Sequence, residues 1–135
     1  MLGVLTTTRD NCLAVVELKA DEDIHLPLWG LDYWSRVQWH HARGEFQQFG
    51  YFAGRELSPA DPLLFLVAPT LHIHPATDTV PRYLDPEIDW TLVGIDERWR
   101  DGVRAIFRKR AKTQDLPRRR RDTEETLTQR LCVSE

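Results

Sequence analysis

Cysteine is scarce in this chain: Cys12 and Cys132 are the only two. They build no disulfide framework, which excludes a small secreted scaffold. No apolar stretch is long enough to cross a bilayer, so no membrane partner is expected. The start lacks a positively charged segment followed by an apolar core, so no signal peptide is read. An excess of one charge sign is also missing, because the net charge is -3 over 135 residues. The whole molecule therefore projects no strong field toward nucleic acid. These absences together predict a cytoplasmic protein.

What is present suits one domain with one core: 41% of residues are hydrophobic and 29% charged. The five tryptophans exceed the usual load for this size. Large aromatics belong in cores or interfaces, and a homodimer is expected to use them. Composition changes near Ala111, where arginines 118 to 121 run together before Asp122, Glu124 and Glu125. The division expected is an α/β domain over 1–110 and a charged tail over 111–135. The tail is read as flexible or as a short helix from Thr123 to Leu131, capped by Asp122 or Thr123.

The stretch Leu13-Ala14-Val15-Val16-Glu17-Leu18-Lys19 organises the rest. Its apolar run reads as a strand buried on both faces. Alternation then puts Glu17 and Lys19 on one face. Val4 to Thr8 is a preceding strand, and Arg9-Asp10-Asn11 a turn, so the two pair as a hairpin. Folding back about Asp10 sets Glu17 opposite Gly3 or Val4. The acidic loop Asp21, Glu22, Asp23 leads into a helix over Pro27 to Ala42, with Leu28, Leu31, Trp34, Val37 and His41 as its apolar stripe. Gly44 suits a left-handed cap. Leu63 to Ala68 reads as a second buried strand. A short helix through Tyr83 and Leu84 follows, then a strand over Trp90 to Ile95. Val103 to Lys109 reads as a half-buried strand, with Val103, Ala105 and Phe107 on one face. The fold class is α/β (α+β), with helices against a mixed sheet.

Three groups of residues carry candidate chemistry. A carboxylate and an ammonium at the end of a buried strand pair with each other or bind something. His72 and His74 share a face if they lie on a strand, with Asp78 or Glu87 near. Hydrogen bonding at a strand exit is the favoured account of them. Arg118, Arg119, Arg120 and Arg121, helped by Arg104, Arg108 and Lys109, are candidate contacts to DNA phosphates. Such binding is nonspecific and salt-sensitive.

A hairpin, a buried strand ending in Glu17-Leu18-Lys19, a helix and another buried strand resemble the PD-(D/E)xK nuclease superfamily. The resemblance covers roughly Met1 to Ala68. It implies a restriction endonuclease-like mixed sheet flanked by helices, and DNA phosphodiester cleavage dependent on Mg²⁺ or Mn²⁺. Glu17 is then a catalytic metal ligand, the Leu18 backbone carbonyl and Asp21 are further ligands, and Lys19 orients the attacking water. The family's leading helix and first strand are absent, and its acid falls at or just before Met1. Trp29 stands about where many members carry glutamine. A truncated or degenerate member is implied. Its alternative role is a catalytically inactive domain for structure, oligomerisation or DNA binding.

Overall fold

A computed structural model describes residues 2–110 of the chain. Strands β1 (Leu2–Thr7) and β2 (Leu13–Leu18) form an antiparallel hairpin. Its turn passes through Asn11 at φ 58°, a left-handed conformation that asparagine tolerates. Helix α1 (Leu26–Ala42) and the single turn α2 (Glu45–Gln48) come next. Strand β3 (Leu63–Pro69) returns parallel to β2, as the crossover through α1 requires. Three 3-10 turns lead to β4 (Trp90–Ile95), parallel to β3. Strand β5 (Ala105–Arg110) closes the far edge antiparallel to β4. The order β1-β2-β3-β4-β5 makes one mixed sheet.

The two faces of the sheet differ. One carries Leu13, Val15, Leu64, Leu66, Ala68, Trp90 and Leu92, each no more than 4% exposed. Burying each of the large side chains is worth about 1.5–3 kcal/mol. Helix α1 lies on this face over β2 and β3. Ile73, His74 and Asp78 cover its β4–β5 end beside Leu92, Phe107 and Lys109. On the opposite face Val16, Leu18, Phe65, Val67 and Val93 are half-exposed, and Leu2 and Val4 are exposed.

Helix α1 begins after Asp23, whose Oδ1 accepts the His25 backbone N–H at 2.8 Å. Pro27 fits the first turn, where its missing N–H costs nothing. The helix stops at Gly44, whose φ of 69° releases the chain and lets its N–H donate to His41 O at 2.9 Å. Most of the expected stripe faces inward, with Val37 buried and Leu31 and Trp34 packed against the core, but Leu28 is exposed and Leu26, Pro27 and Gly30 are buried in the first turns instead. Gly30 is the reason. A Cβ there would meet Leu66 Cδ2 at 2.5 Å and Leu64 Cδ1 at 3.2 Å. The helix sits on the sheet through its least bulky residue, which a search for apolar side chains passes over.

Two further expectations change. The short helix through Tyr83 and Leu84 is instead the 3-10 turns Pro75–Asp78 and Val80–Tyr83, because Pro75 and Pro81 each lack the N–H a longer helix needs. The last strand starts at Ala105, leaves Val103 exposed, and is itself mostly exposed. Among the described residues it pairs on one side only, and a bulge at Ile106 interrupts its register between Gly94 and Ile95. Residues 111–135, with the expected short helix, lie outside the described residues.

Gly30→Ala is expected to destabilise the protein by about 1–3 kcal/mol through overpacking, despite alanine's advantage in helices of about 1 kcal/mol. Gly102→Ala, whose Cβ meets nothing within 4 Å, should stay within about 0.5 kcal/mol. Urea unfolding of both variants checks the comparison.

Candidate functional site

Glu17 occupies the middle strand of the hairpin and crossover, opposite Gly3 on β1 and Leu66 on β3. Its alternation with Leu13 and Val15 aims it at α1, and it is only 3% exposed. Gly3, Gly30 and Tyr33 wall the pocket. A Cβ on Gly3 would lie 3.1 Å from Glu17 Oε2 and 2.9 Å from Tyr33 Cε1. A Cβ on Gly30 would lie 3.6 Å from Glu17 Cβ. Glu17 Oε1 is buried and has no hydrogen-bond partner among the described residues. Burial pushes this carboxyl above its ordinary range, and the positive charges of the N-terminus and then of Lys19 offset the rise only in part. Tyr33 is likewise raised, first by burial and then by the Glu17 charge.

Lys19 follows on the same face, just past β2. Its backbone N–H extends the ladder by donating to Val67 O at 3.1 Å. Its ammonium turns to Asp23, with Nζ 3.3 Å from Oδ2. Asp23 is held below the usual carboxylate range by the His25 backbone N–H, with Lys19 adding to the effect. Leu18 ends β2 opposite Leu2 and Val67, which sets the candidate carbonyl at the strand tip. Asp21 is exposed on the loop and makes no ion pair among the described residues. The acidic loop thus sends Asp23, not Asp21, toward the motif lysine. Among the described residues, no group of three or more histidine, cysteine or carboxylate side chains is placed to hold a metal.

The other candidates lie elsewhere. Strand β5 is separated from β2 by β3 and β4, about 14 Å of sheet. Arg104 is in the exposed loop before it, and its carbonyl accepts the Asp96 N–H at 2.9 Å. Alternation divides Arg108 from Lys109. Lys109 faces the 3-10 turns and pairs with Asp78, whose carboxyl it holds below its ordinary range. Arg108 shares the opposite face with Arg110, and both line a cleft of about 250 Å³ with Phe65 and Thr91. Arg110 reaches Asp89 at 2.8 Å. Arg118, Arg119, Arg120 and Arg121 lie outside the described residues.

His72 and His74 are not on a strand and do not face one another as a pair. His72 ends a 3-10 turn with Nε2 3.6 Å from Glu97 Oε2. His74 caps the next turn, its Nδ1 accepting the Ala76 N–H at 3.1 Å. Asp78 is committed to Lys109 and Arg82, and Glu87 is exposed. Of the two, His74 makes the hydrogen bond at the strand exit, and His72 lies beside Glu97. Tyr33 and Gly30 are pocket residues that the helical stripe did not single out. Gly3 had a usable signal, since counting back from the Asp10 turn reaches it.

Comparison of the chain with family models, curated proteins and solved structures finds no match in any of the three.

The raised carboxyl of Glu17 fixes the sign of a pH effect. The folded state holds this proton more tightly than the unfolded chain. Stability from it is full below the ordinary glutamate value of 4.5 and is lost as pH rises through that value toward the raised one. Glu17→Gln is therefore expected to be more stable than the wild type at pH 7, with the difference shrinking toward pH 4. Urea unfolding across that interval measures it, and a difference that grows on acidification contradicts the burial account.

Proposed function

We propose that the chain is a nuclease-like domain carrying half of a divalent-metal phosphodiesterase site for DNA, with Mg²⁺ or Mn²⁺ as the ion. The observation that carries this reading is the buried Oε1 of Glu17, without a partner among the described residues, on the strand that ends in Glu-x-Lys. Hard cations take six or more oxygen ligands. The Glu17 carboxylate and the Leu18 carbonyl fit one side of such a shell. The remaining ligands, Asp21 among the candidates, have to come from a loop rearrangement, a partner chain or sequence outside the described residues.

A bound ion would polarise the phosphate and lower the pKa of an attacking water. The chain's own residues set the conditions for that chemistry. Glu17 must give up its tightly held proton before it can act as a ligand, so binding strengthens as pH rises. Lys19 must leave Asp23 to orient the water or to steady charge on the phosphoryl oxygens. Tyr33 and α1 keep bulk water from one side of the carboxylate. Exposed Arg104 and Arg108 extend the reading to nonspecific contact with DNA phosphates.

A second reading is a non-catalytic scaffold for oligomerisation or DNA binding. It is favoured by the Lys19–Asp23 pair and by Gly3 standing opposite Glu17 with no carboxylate of its own. Homodimerisation belongs to it, because the β1 edge presents exposed Leu2 and Val4.

Calorimetric titration with Mn²⁺ tests the half-site. Gly3→Asp puts a second carboxylate beside Glu17 and is expected to tighten binding by at least about tenfold. Glu17→Gln should remove that gain. Unchanged affinity in Gly3→Asp, or a gain that persists without Glu17, would sink the metal assignment. Nicking of supercoiled plasmid by Gly3→Asp, lost on adding Lys19→Ala, would favour the catalytic reading over the scaffold.

A further inference from the structure

The two edges of the sheet are built differently. Strand β5 carries Arg108, Lys109 and Arg110 and a bulge at Ile106, devices that keep an edge from pairing with another chain. Strand β1 reads Leu2-Gly3-Val4-Leu5-Thr6-Thr7, with no charged side chain, no proline and an unbroken register against β2. Its outward backbone groups follow from the ladder. The Thr8 N–H donates to Cys12 O at 2.8 Å, so Thr8 and Cys12 are a bonded pair. Bonded and non-bonded pairs alternate in an antiparallel ladder, which makes Leu2, Val4 and Thr6 the residues bonded to β2. The Lys19 N–H on Val67 O agrees, because it assigns the odd-numbered positions along β2 to β3. The N–H and C=O groups of Gly3, Leu5 and Thr7 therefore point off the sheet. Among the described residues no other strand pairs with them.

We infer that a second copy of the chain pairs antiparallel with β1, about a two-fold axis at Leu5, and brings its Arg55 to the Glu17 pocket. The inference rests on the homodimer of the second reading and not on any metal. Centred on Leu5, the pairing sets Gly3 against Thr7 of the partner subunit and Leu5 against the partner's Leu5. Every outward group is then used, whereas a centre at Val4 or Thr6 matches only two of the three residues within Leu2–Thr7. Val4 stands opposite Thr6 of the partner subunit on the open face, a pair of β-branched side chains. Helix α1 lies over β2 and β3, so the two helices stay about 19 Å apart, well beyond the roughly 10 Å at which helices pack. The Glu17 pocket gains a charge from this arrangement. Glu17 Oε2 leans over Gly3, where a Cβ would lie 3.1 Å away. Thr7 shares that face by alternation, and its Oγ1 accepts Arg55 Nη1 at 2.8 Å. Arg55 is exposed and bonds a hydroxyl, not a carboxylate. Across the axis the partner's Arg55 stands beside Gly3, about 5 Å from the Glu17 carboxylate. A cation at that range suits a buried carboxylate whose Oε1 has no donor among the described residues. Two-fold symmetry makes the contact twice.

Sedimentation equilibrium of the full chain tests it. A dimer is expected, and Val4→Lys with Thr6→Lys should weaken it at least about tenfold, since the lysines face one another across the axis. Mixing those chains with Val4→Glu, Thr6→Glu chains should restore it. Disulfide trapping reads the register, in chains that also carry Cys12→Ser and Cys132→Ser. Val4→Cys chains mixed with Thr6→Cys chains are expected to give a covalent dimer on oxidation. Neither should do so alone, because like positions are about 8 Å apart. Arg55→Gln should weaken the dimer about fivefold, and that loss should vanish when Glu17→Gln is also present. A monomer throughout the micromolar range would overturn both the inference and the homodimer. A dimer that resists the lysines, or gives no mixed disulfide, would overturn the inference alone. So would a disulfide in Val4→Cys chains by themselves. Equal losses from Arg55→Gln with and without Glu17→Gln would overturn the placing of Arg55 at the pocket.

Discussion

The contact on which the structure depends is the close approach of α1 to the sheet at Gly30. Leu64 and Leu66 are fully buried and occupy the space a side chain on Gly30 would need. A missing methyl group thus sets the distance between the two layers. That distance brings the helix down over β2 and β3, seals Glu17 from water, and leaves Tyr33 against the carboxylate. The burial that raises Glu17 follows from the packing of Gly30 and Leu66 directly beside it, with no charged neighbour needed. The rest of the covered face is conventional filling by leucine, valine and tryptophan around this fixed point.

Electrostatics in the molecule divides into settled and unsettled charge. Lys19 has Asp23, Lys109 has Asp78, and Arg110 has Asp89. These pairs are exposed or half-exposed, so they orient side chains more than they stabilise the fold. Glu17 is different in kind. One of its oxygens has no donor among the described residues, and it is buried from water. An isolated carboxylate there is costly when ionised, so the site favours a proton, a cation or a donor that arrives from elsewhere. The pairing of Lys19 with Asp23 bears on the same balance, because it turns one of the nearby positive charges toward the loop.

Much of this arrangement was legible in the residues. Continuous apolar runs identified β2, β3 and β4, because a central strand needs no alternation to be buried. Turn residues at Asp10 and Asn11 fixed the hairpin, and counting from them reached Gly3 as the neighbour of Glu17. Other features were hidden by the signals used to seek them. A stripe built from apolar side chains finds Leu31, Trp34 and Val37 but misses a contact made by glycine, so Leu28 stood in for Gly30 on the inward face. Prolines at 75 and 81 limit helix length but do not reveal that the backbone tightens into 3-10 turns. Spacing put His72 and His74 on one face only on the premise of a strand, and the chain has already left the sheet at Pro69. The choice of Asp23 over Asp21 as the partner of Lys19 depends on a turn closed by the His25 N–H, which no periodicity reports.

The edge of the sheet at β5 carries a different kind of information. Gly94 faces Phe107 across the ladder, and a Cβ on the glycine would fall 2.3 Å from the ring. The ring therefore lies in the gap that the glycine leaves. A strand with arginines and a lysine on both faces has little hydrophobic alternation to fix its register. Slipping by two residues would preserve which side chains face which way, yet would set the ring against Leu92 or beyond Ile95. The gap over Gly94 accepts it in one position only. The strand works as a key cut for one lock, and its alignment is chosen by an absent side chain instead of by the residues that pair with it.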